Sequence, residues 1–157
     1  MELVAIVAVA ENGVIADDGE IPWDYPADKA FYRETIRGHP AIMGRNTFGG
    51  DPKDGSTNIV LTGSVDDVGE GAVTVHSVDE AIAAAAETGA DVAYVIGGQA
   101  VYESFLDRLD RIVVTKIPGS YDGDRYFPDL DESEWRHDGE QVIGEGLRVV
   151  EYVPLRD

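Results

Sequence analysis

Asp28, Phe31, Tyr32 and Thr35 stand at i, i+3, i+4 and i+7 in "IPWDYPADKAFYRETI", residues 21–36. On a helix that spacing puts a carboxylate, two aromatic rings and a hydroxyl on one face. A carboxylate beside aromatics suits a flat heterocycle carrying a ring N–H and an amino group. Two parallel hydrogen bonds would fix such a ring, as an arginine fork fixes a carboxylate. Partial burial would raise the carboxyl pKa. A plainer reading exists. Pro26 suits the first helical position, which makes Asp28 the third. There a carboxylate favours the positive helix end and can reach back to the cap. That reading accounts for Asp28 alone and leaves the aromatics on its face unexplained.

Two further stretches could hold anions. "IMGRNTF" (42–48) runs from a strand through Gly44 to Arg45, Asn46 and Thr47 at an expected helix start. Free backbone N–H groups there suit a phosphate, and Arg45 offers a planar fork; on this stretch alone, an ordinary surface arginine is an equal reading. "VIGGQAVY" (95–102) places Gly97 and Gly98 between a strand and a helix. Paired glycines make a tight turn and let backbone approach a flat cofactor or its pyrophosphate. The stretch is not the G-x-G-x-x-G dinucleotide fingerprint, and no P-loop is present. "TGS" (62–64) lacks the nucleophile-elbow pattern. The chain has no cysteine and three scattered histidines, His39, His76 and His137, so disulfides, thiolate metal sites and close-spaced zinc ligands are not expected.

The elements that must position these residues alternate. "LVAIVAVA" (3–10) is a continuous apolar run suited to a strand buried on both faces. "ENGVIADDGE" (11–20) reads as a glycine-punctuated loop, and a helix is expected from Pro26 to Arg37. "PAIMG" (40–44), "NIVLT" (58–62), "VAYVIGG" (92–98) and "RIVVTKI" (111–117) read as strands. "SVDEAIAAAAE" (77–87) reads as a helix with a Ser77–Glu80 capping box and Gly89 at its end. "QAVYESFLDRL" (99–109) reads as another helix. After residue 130 two strands follow without a helix between them, "EWRHDGEQV" and "LRVVEYVPL". The expectation is one α/β domain over 1–157: three layers, α-β-α, around a twisted, mainly parallel sheet with antiparallel strands at its carboxy-terminal end. Ligands in such sheets sit beyond the carboxyl ends of the strands, near a switch in strand order.

Charge bounds the partners. Twelve Lys+Arg against 31 Asp+Glu give −19 over 157 residues, a surface that repels nucleic acid and anionic membranes. The acidity is spread along the chain rather than gathered in a tail, which suits high salt, where repulsion is screened to about 3 Å at 1 M. The amino-terminal apolar run is short and carries an acid at position 2, unlike a signal peptide or a membrane span. A cytoplasmic monomer acting on a small molecule is expected.

Together these stretches resemble the dihydrofolate reductase family. The most specific part is "IPWDYPADKAFYRETI", similar to the family's Pro-Trp, Pro-x-Asp, then an aromatic and a threonine. "IMGRNTF", "NIVLT", "SVDEAIA", "VIGGQAVYESFL", "TKI" and "GDRYFPD" follow in the family's order, so the resemblance covers nearly the whole chain. It implies an eight-stranded sheet with four helices and NADPH-dependent reduction of 7,8-dihydrofolate. Hydride would pass from the nicotinamide to pterin carbon 6, and a proton would reach the adjacent nitrogen through water. The resemblance makes Asp28 the acid of the pterin pocket, with Trp23 and Thr115 holding water and orienting it. It places Phe31, Tyr32 and Thr35 near the pterin and its extension, and Ile6, Val7 and Ile96 on the pocket wall. On the cofactor side it implies Ala8 and the loop from Ile15 through Ala16 to Ile21, and the Gly97–Gly98 bend followed by Gln99, Ala100, Val101 and Tyr102. Gly44, Arg45, Asn46 and Thr47 would grip the phosphates. Thr62, Gly63, Ser64 and His76 would meet the adenosine end, and Asp124 would steady a closing lid.

The chain departs from the family at several points. Ser56 stands where an arginine that clamps the folate glutamate is expected, and Lys53 or Arg33 is the candidate replacement. His76 replaces a lysine near the adenosine phosphate, Ala100 an arginine, and Ala16 a lid glycine. A pyrimidine reductase of riboflavin synthesis shares the fold, but Trp23 and Asp28 argue against it. A silent NADPH- or folate-binding module is the non-enzymatic alternative, disfavoured by the intact Asp28, Thr115 and Gly97–Gly98 set.

Overall fold

The computed structural model describes residues 1–49, 52–53, 55–63, 69 and 71–155. The strands are β1 (Glu2–Ala10), β2 (Val14–Ala16), β3 (Ala41–Gly44), β4 (Asn58–Leu61), β5 (Ala72–Val75), β6 (Val92–Gly97), β7 (Arg111–Ile117), β8 (Arg125–Tyr126), β9 (Trp135–Val142) and β10 (Arg148–Pro154). The helices are α1 (Pro26–Ile36), α2 (Arg45–Phe48), α3 (Val78–Glu87) and α4 (Gln99–Phe105), with 3-10 turns at Leu106–Arg108 and Gly144–Gly146. Eight strands form one sheet in the order β5-β4-β3-β6-β1-β7-β10-β9. β5 through β7 are parallel, and β10 and β9 add antiparallel strands at one edge. This is the expected α/β sheet with its four helices.

The apolar run of β1 is central because both its faces are buried. Leu3, Ala5 and Val7 join a cluster with Ala81 and Ala85 of α3 and Val101 and Phe105 of α4. Val4 and Ile6 join the opposite cluster with Ile36 of α1 and Phe48 of α2. Alternation of side chains along a strand divides the two sets. Fully buried Ile42, Ile59 and Phe105 contribute roughly 1.5–3 kcal/mol each by burial.

Ser77 caps α3, accepting from Glu80 N at 3.0 Å, while the Glu80 carboxylate reaches past the expected Ser77 to His76 N at 3.0 Å. Gly89, at φ +78, lets the chain leave that helix. Three strands escape the sequence reading. β5 lies in "AVTV" at the sheet edge, half-exposed and without a long apolar run. The segment read as a loop over 11–20 contains β2, which pairs with β8 in a separate two-stranded ribbon. Among the described residues no helix is long and apolar enough to cross a membrane, and no group of metal-ligating side chains is found.

Candidate active site

The cleft begins where two strands part. β1 pairs with β6 only from Glu2↔Val92 to Ala5↔Val95. Beyond Ala5, β1 continues beside β7, with Ala8 opposite Thr115, while β6 turns to β3, with Gly97 opposite Met43. The Ile6 carbonyl, freed by this splay, accepts from the buried Tyr102 hydroxyl at 2.8 Å. A cavity of about 610 Å³ opens there, walled by the ends of β1 and β6, by Thr115, by α1 and by the segment after β2. It lies beyond the carboxyl ends of the parallel strands, where α/β sheets place ligands. A second cleft of about 490 Å³ lies before the starts of β3, β4 and β6 and carries no carboxylate, lysine or arginine.

Asp28 is on the wall of the larger cavity. Burial raises its pKa above the usual carboxylate value, opposed by the Thr115 hydroxyl and by the charge of Lys29. Tyr32 shares the wall, its phenol pushed up to about 12 by burial. Trp23 is there too, edge-to-face on Tyr121 at 5.2 Å, and its buried Nε1 has no hydrogen-bond partner among the described residues. Ile6, Val7 and Ile96 complete this end.

Phe31 and Thr35 are not on the wall. Phe31 packs against the cluster under α1, and the Thr35 hydroxyl donates to the Phe31 carbonyl at 2.6 Å. The face that α1 turns to the cavity is Asp28, Lys29, Tyr32, Arg33, Ile36 and Arg37. It consists of two i, i+4 rows, rotated from the expected face toward the basic residues.

On the expected cofactor side, Ala8, Ile15, Ala16, Asn46, Thr47, Gly97, Gly98 and Tyr102 line the same cavity. The Gly97–Gly98 peptide is cis, and Gly97 has φ +117. A Cβ on Gly97 would stand 3.2 Å from the Tyr102 ring, whereas one on Gly98 would meet nothing within 4 Å. Gly98 therefore leaves open space in the cavity wall. Gly44 serves packing, since a Cβ there would stand 3.3 Å from Val101 Cγ2. Gln99 is turned to the ribbon, its Oε1 accepting from Tyr126 N at 2.8 Å. Ala100 and Arg45 are exposed and off the wall. Thr62 and His76 come together past the ends of β4 and β5, with 2.9 Å between His76 Nδ1 and the Thr62 carbonyl, and Gly63 follows, exposed. Ser64 lies outside the described residues.

The segment over the cavity is tied down through β8. Asp18 N donates to Asp124 Oδ1 at 3.2 Å, and Asp124 N donates to the Ala16 carbonyl at 3.1 Å. At its base Glu11 exchanges hydrogen bonds with Gly119, and Asn12 does so with Tyr121. Asp124 thus ties the segment after β2 to the stretch before β8.

Sequence reasoning missed Lys29 and Arg37. With Arg33 they form an i, i+4, i+8 row along the cavity, which Lys53 also lines. That period was visible in "DKAFYRETIR"; the direction in which it points was not. Lys29 pairs with Asp24 at 3.0 Å and Lys53 donates to the Thr47 carbonyl at 3.0 Å. Arg33 and Arg37 have no carboxylate partner among the described residues. Ser56, at the position expected of the clamping arginine, donates instead to the Ile36 carbonyl at 3.0 Å.

The chain is similar to known proteins in sequence and in fold. Residues 2–146 match the family model described as dihydrofolate reductase. The chain is 39% identical over 145 residues to dihydrofolate reductase HdrB of Haloferax volcanii, covering 86% of this chain and 75% of that protein. It is 42% identical over 166 residues to dihydrofolate reductase 1 of Haloarcula marismortui, covering 90% and 89%. Both organisms are halophilic archaea. Among solved structures, the dihydrofolate reductase of Enterococcus faecalis complexed with NADP(H) and RAB-propyl superposes with a TM-score of 0.86 at 32% identity, covering 99% of this chain and 97% of that one. The family match runs through both sides of the cleft and every strand but the last, and the chain belongs to the dihydrofolate reductase family.

Proposed function

We propose that this protein reduces 7,8-dihydrofolate to 5,6,7,8-tetrahydrofolate with NADPH. The observation that carries the reading is Asp28: a carboxylate on the wall of an otherwise largely apolar cleft end, held against Thr115. Its two oxygens suit the amino group and adjacent ring nitrogen of a pterin. The open space at Gly98, with Asn46 and Thr47 on the same wall, fits a dinucleotide whose flat nicotinamide lies against the glycine bend. NADPH supplies the hydride when bound.

The chain's own residues do the rest. Asp28 fixes the pterin and places negative charge beside the ring, favouring its protonation; Thr115 orients the carboxylate. Trp23 Nε1 is a donor suited to an ordered water at the cleft. Tyr102 fixes the Ile6 carbonyl at the splay. The segment held by Asp124 limits water access. Arg33, Arg37 and Lys53 hold the glutamate tail in place of an arginine at position 56, and Arg45 with Asn46 and Thr47 favours the phosphate form of the cofactor. We read the chain as one domain over 1–157, working as a cytoplasmic monomer with small molecules as its partners. The riboflavin-pathway alternative has no use for Trp23 and Asp28.

The test is NADPH oxidation with dihydrofolate in molar KCl, run beside Asp28→Asn. Turnover by the parent and its loss in the variant at neutral pH are expected. A parent that oxidises no NADPH with dihydrofolate overturns the reading; unchanged turnover in the variant overturns the role of Asp28.

A further inference from the structure

Helix α1 starts without a cap of its own. Its flanking residue, Tyr25, makes no side-chain cap hydrogen bond, and the first helical residue, Pro26, has no N–H. Asp28 N and Lys29 N both donate to the Tyr25 carbonyl, at 3.0 and 3.2 Å. The Ala27 N–H remains, and Glu145 Oε2 takes it at 2.8 Å from a turn 118 residues later in the chain.

That turn is shaped for the contact. A Cβ on Gly144 would stand 3.0 Å from Ala27 Cβ, so a larger residue there would press on the helix. Glu145 sits at φ +63, a left-handed conformation that non-glycine residues seldom adopt. Leu147 anchors the turn in the cluster that holds Trp23, with Tyr25, Ala27 and Ile143 packed against it.

An aspartate at the third helical position is ordinarily drawn back to the helix start. Here Glu145 does that work, and Asp28 lies in the cavity against Thr115. We propose that Glu145 is a positioning residue for Asp28. By occupying the Ala27 N–H at the positive end of α1, it removes a competing partner that would draw the Asp28 carboxylate out of the pterin site. This rests on the reading of Asp28 as the pterin-binding carboxylate.

The experiment compares Glu145→Gly and Glu145→Gln with the parent. Glycine removes the carboxylate yet suits φ +63, so folding is preserved; glutamine keeps an acceptor oxygen. The dissociation constants of a diaminopteridine and of NADPH are measured by fluorescence titration, with KM and kcat for dihydrofolate. Glu145→Gly is expected to weaken the diaminopteridine about tenfold, the scale of a lost helix cap, and to raise KM for dihydrofolate. NADPH affinity should hold, and Glu145→Gln should restore most of the loss. Parent-like diaminopteridine affinity in Glu145→Gly overturns the proposal. So does equal weakening of both ligands, which marks a general structural role, or a glutamine variant no better than glycine. A parent that neither binds the diaminopteridine nor reduces dihydrofolate overturns the function itself, a result distinct from these.

Discussion

Replacing Arg33 and Arg37 together by glutamine should weaken the grip on dihydrofolate while leaving a tail-less dihydropterin almost untouched. Both arginines lie on the cavity wall on the carboxy-terminal side of Asp28. At 1.5 Å per residue they stand about 7.5 and 13.5 Å beyond it along the helix, where the proposed function puts the glutamate tail. The Arg37 stem is packed, since a Cβ on Gly55 would stand 3.1 Å from Arg37 Cγ. In a chain with 31 acids and 12 bases, two arginines without a carboxylate partner among the described residues are kept available for an anion. A hydrogen bond to a charged group contributes ~1.5–3 kcal/mol when sheltered. Both side chains are exposed, which brings each down to ~0.5–1 kcal/mol. The pair should therefore cost ~1–2 kcal/mol, or about 5- to 30-fold in kcat/KM for dihydrofolate at low salt. The loss should shrink in molar KCl, as the screening length falls from about 10 Å to about 3 Å. Steady-state kinetics on dihydrofolate and the tail-less dihydropterin give the comparison. Equal losses on the two substrates, or none on dihydrofolate, would refute the assignment of this row to the tail.

Asp28→Asn should trade activity for stability. Because folding raises the Asp28 pKa from 3.8, mainly by burial, the native state holds its proton more tightly than the unfolded chain. Stability from this group is highest below about pH 3.8, falls as pH rises through the folded value and stays low above it. Asparagine removes that cost, so the variant should melt above the parent at pH 7 and lose the advantage in acid, as read by thermal melts across pH. Gly123→Ala should part β8 from β2, because a Cβ there would stand 2.4 Å from Val14 Cγ1 and 2.8 Å from the Ala16 carbonyl; hydrogen exchange should rise at Ala16 and Asp124, with kcat lowered. Tyr102→Phe strands the Ile6 carbonyl and should cost about 2 kcal/mol, roughly 4–8 °C in Tm, measured by calorimetry. Stability should rise steeply from dilute buffer to molar KCl, given −19; a flat melting curve against salt would contradict adaptation of this surface to high salt.

What the sequence made legible was what is local and periodic. β1, β3, β4, β6 and β7 are buried on both faces and read as continuous apolar runs. β5 is an edge strand whose residues are mostly half-exposed, so its pattern is too weak to separate from loop. β2 and β8 exist because they pair with each other across more than a hundred residues, and neither is long enough to show alternation. The same limit governs the site. The row on α1 fixes which residues share a face but not how far the helix is rotated. Asp28 and Tyr32 therefore fell on the wall as expected, while Phe31 and Thr35 gave way to Arg33 and Arg37.

The contact that bears on Asp28 could not be seen locally at all. Read alone, Asp28 fits a helix start; Glu145, from the far end of the chain, takes the Ala27 N–H there, and Asp28 lies on the cavity wall. The charge balance follows the same logic. A surface at −19 opposes the approach of an anionic substrate and an anionic cofactor. Of twelve basic residues, Lys29, Arg33, Arg37 and Lys53 line the cavity. Salt screens the long-range repulsion more than it weakens direct contacts inside a partly sheltered cleft. An acidic shell around a locally basic wall can therefore bind anions in concentrated salt.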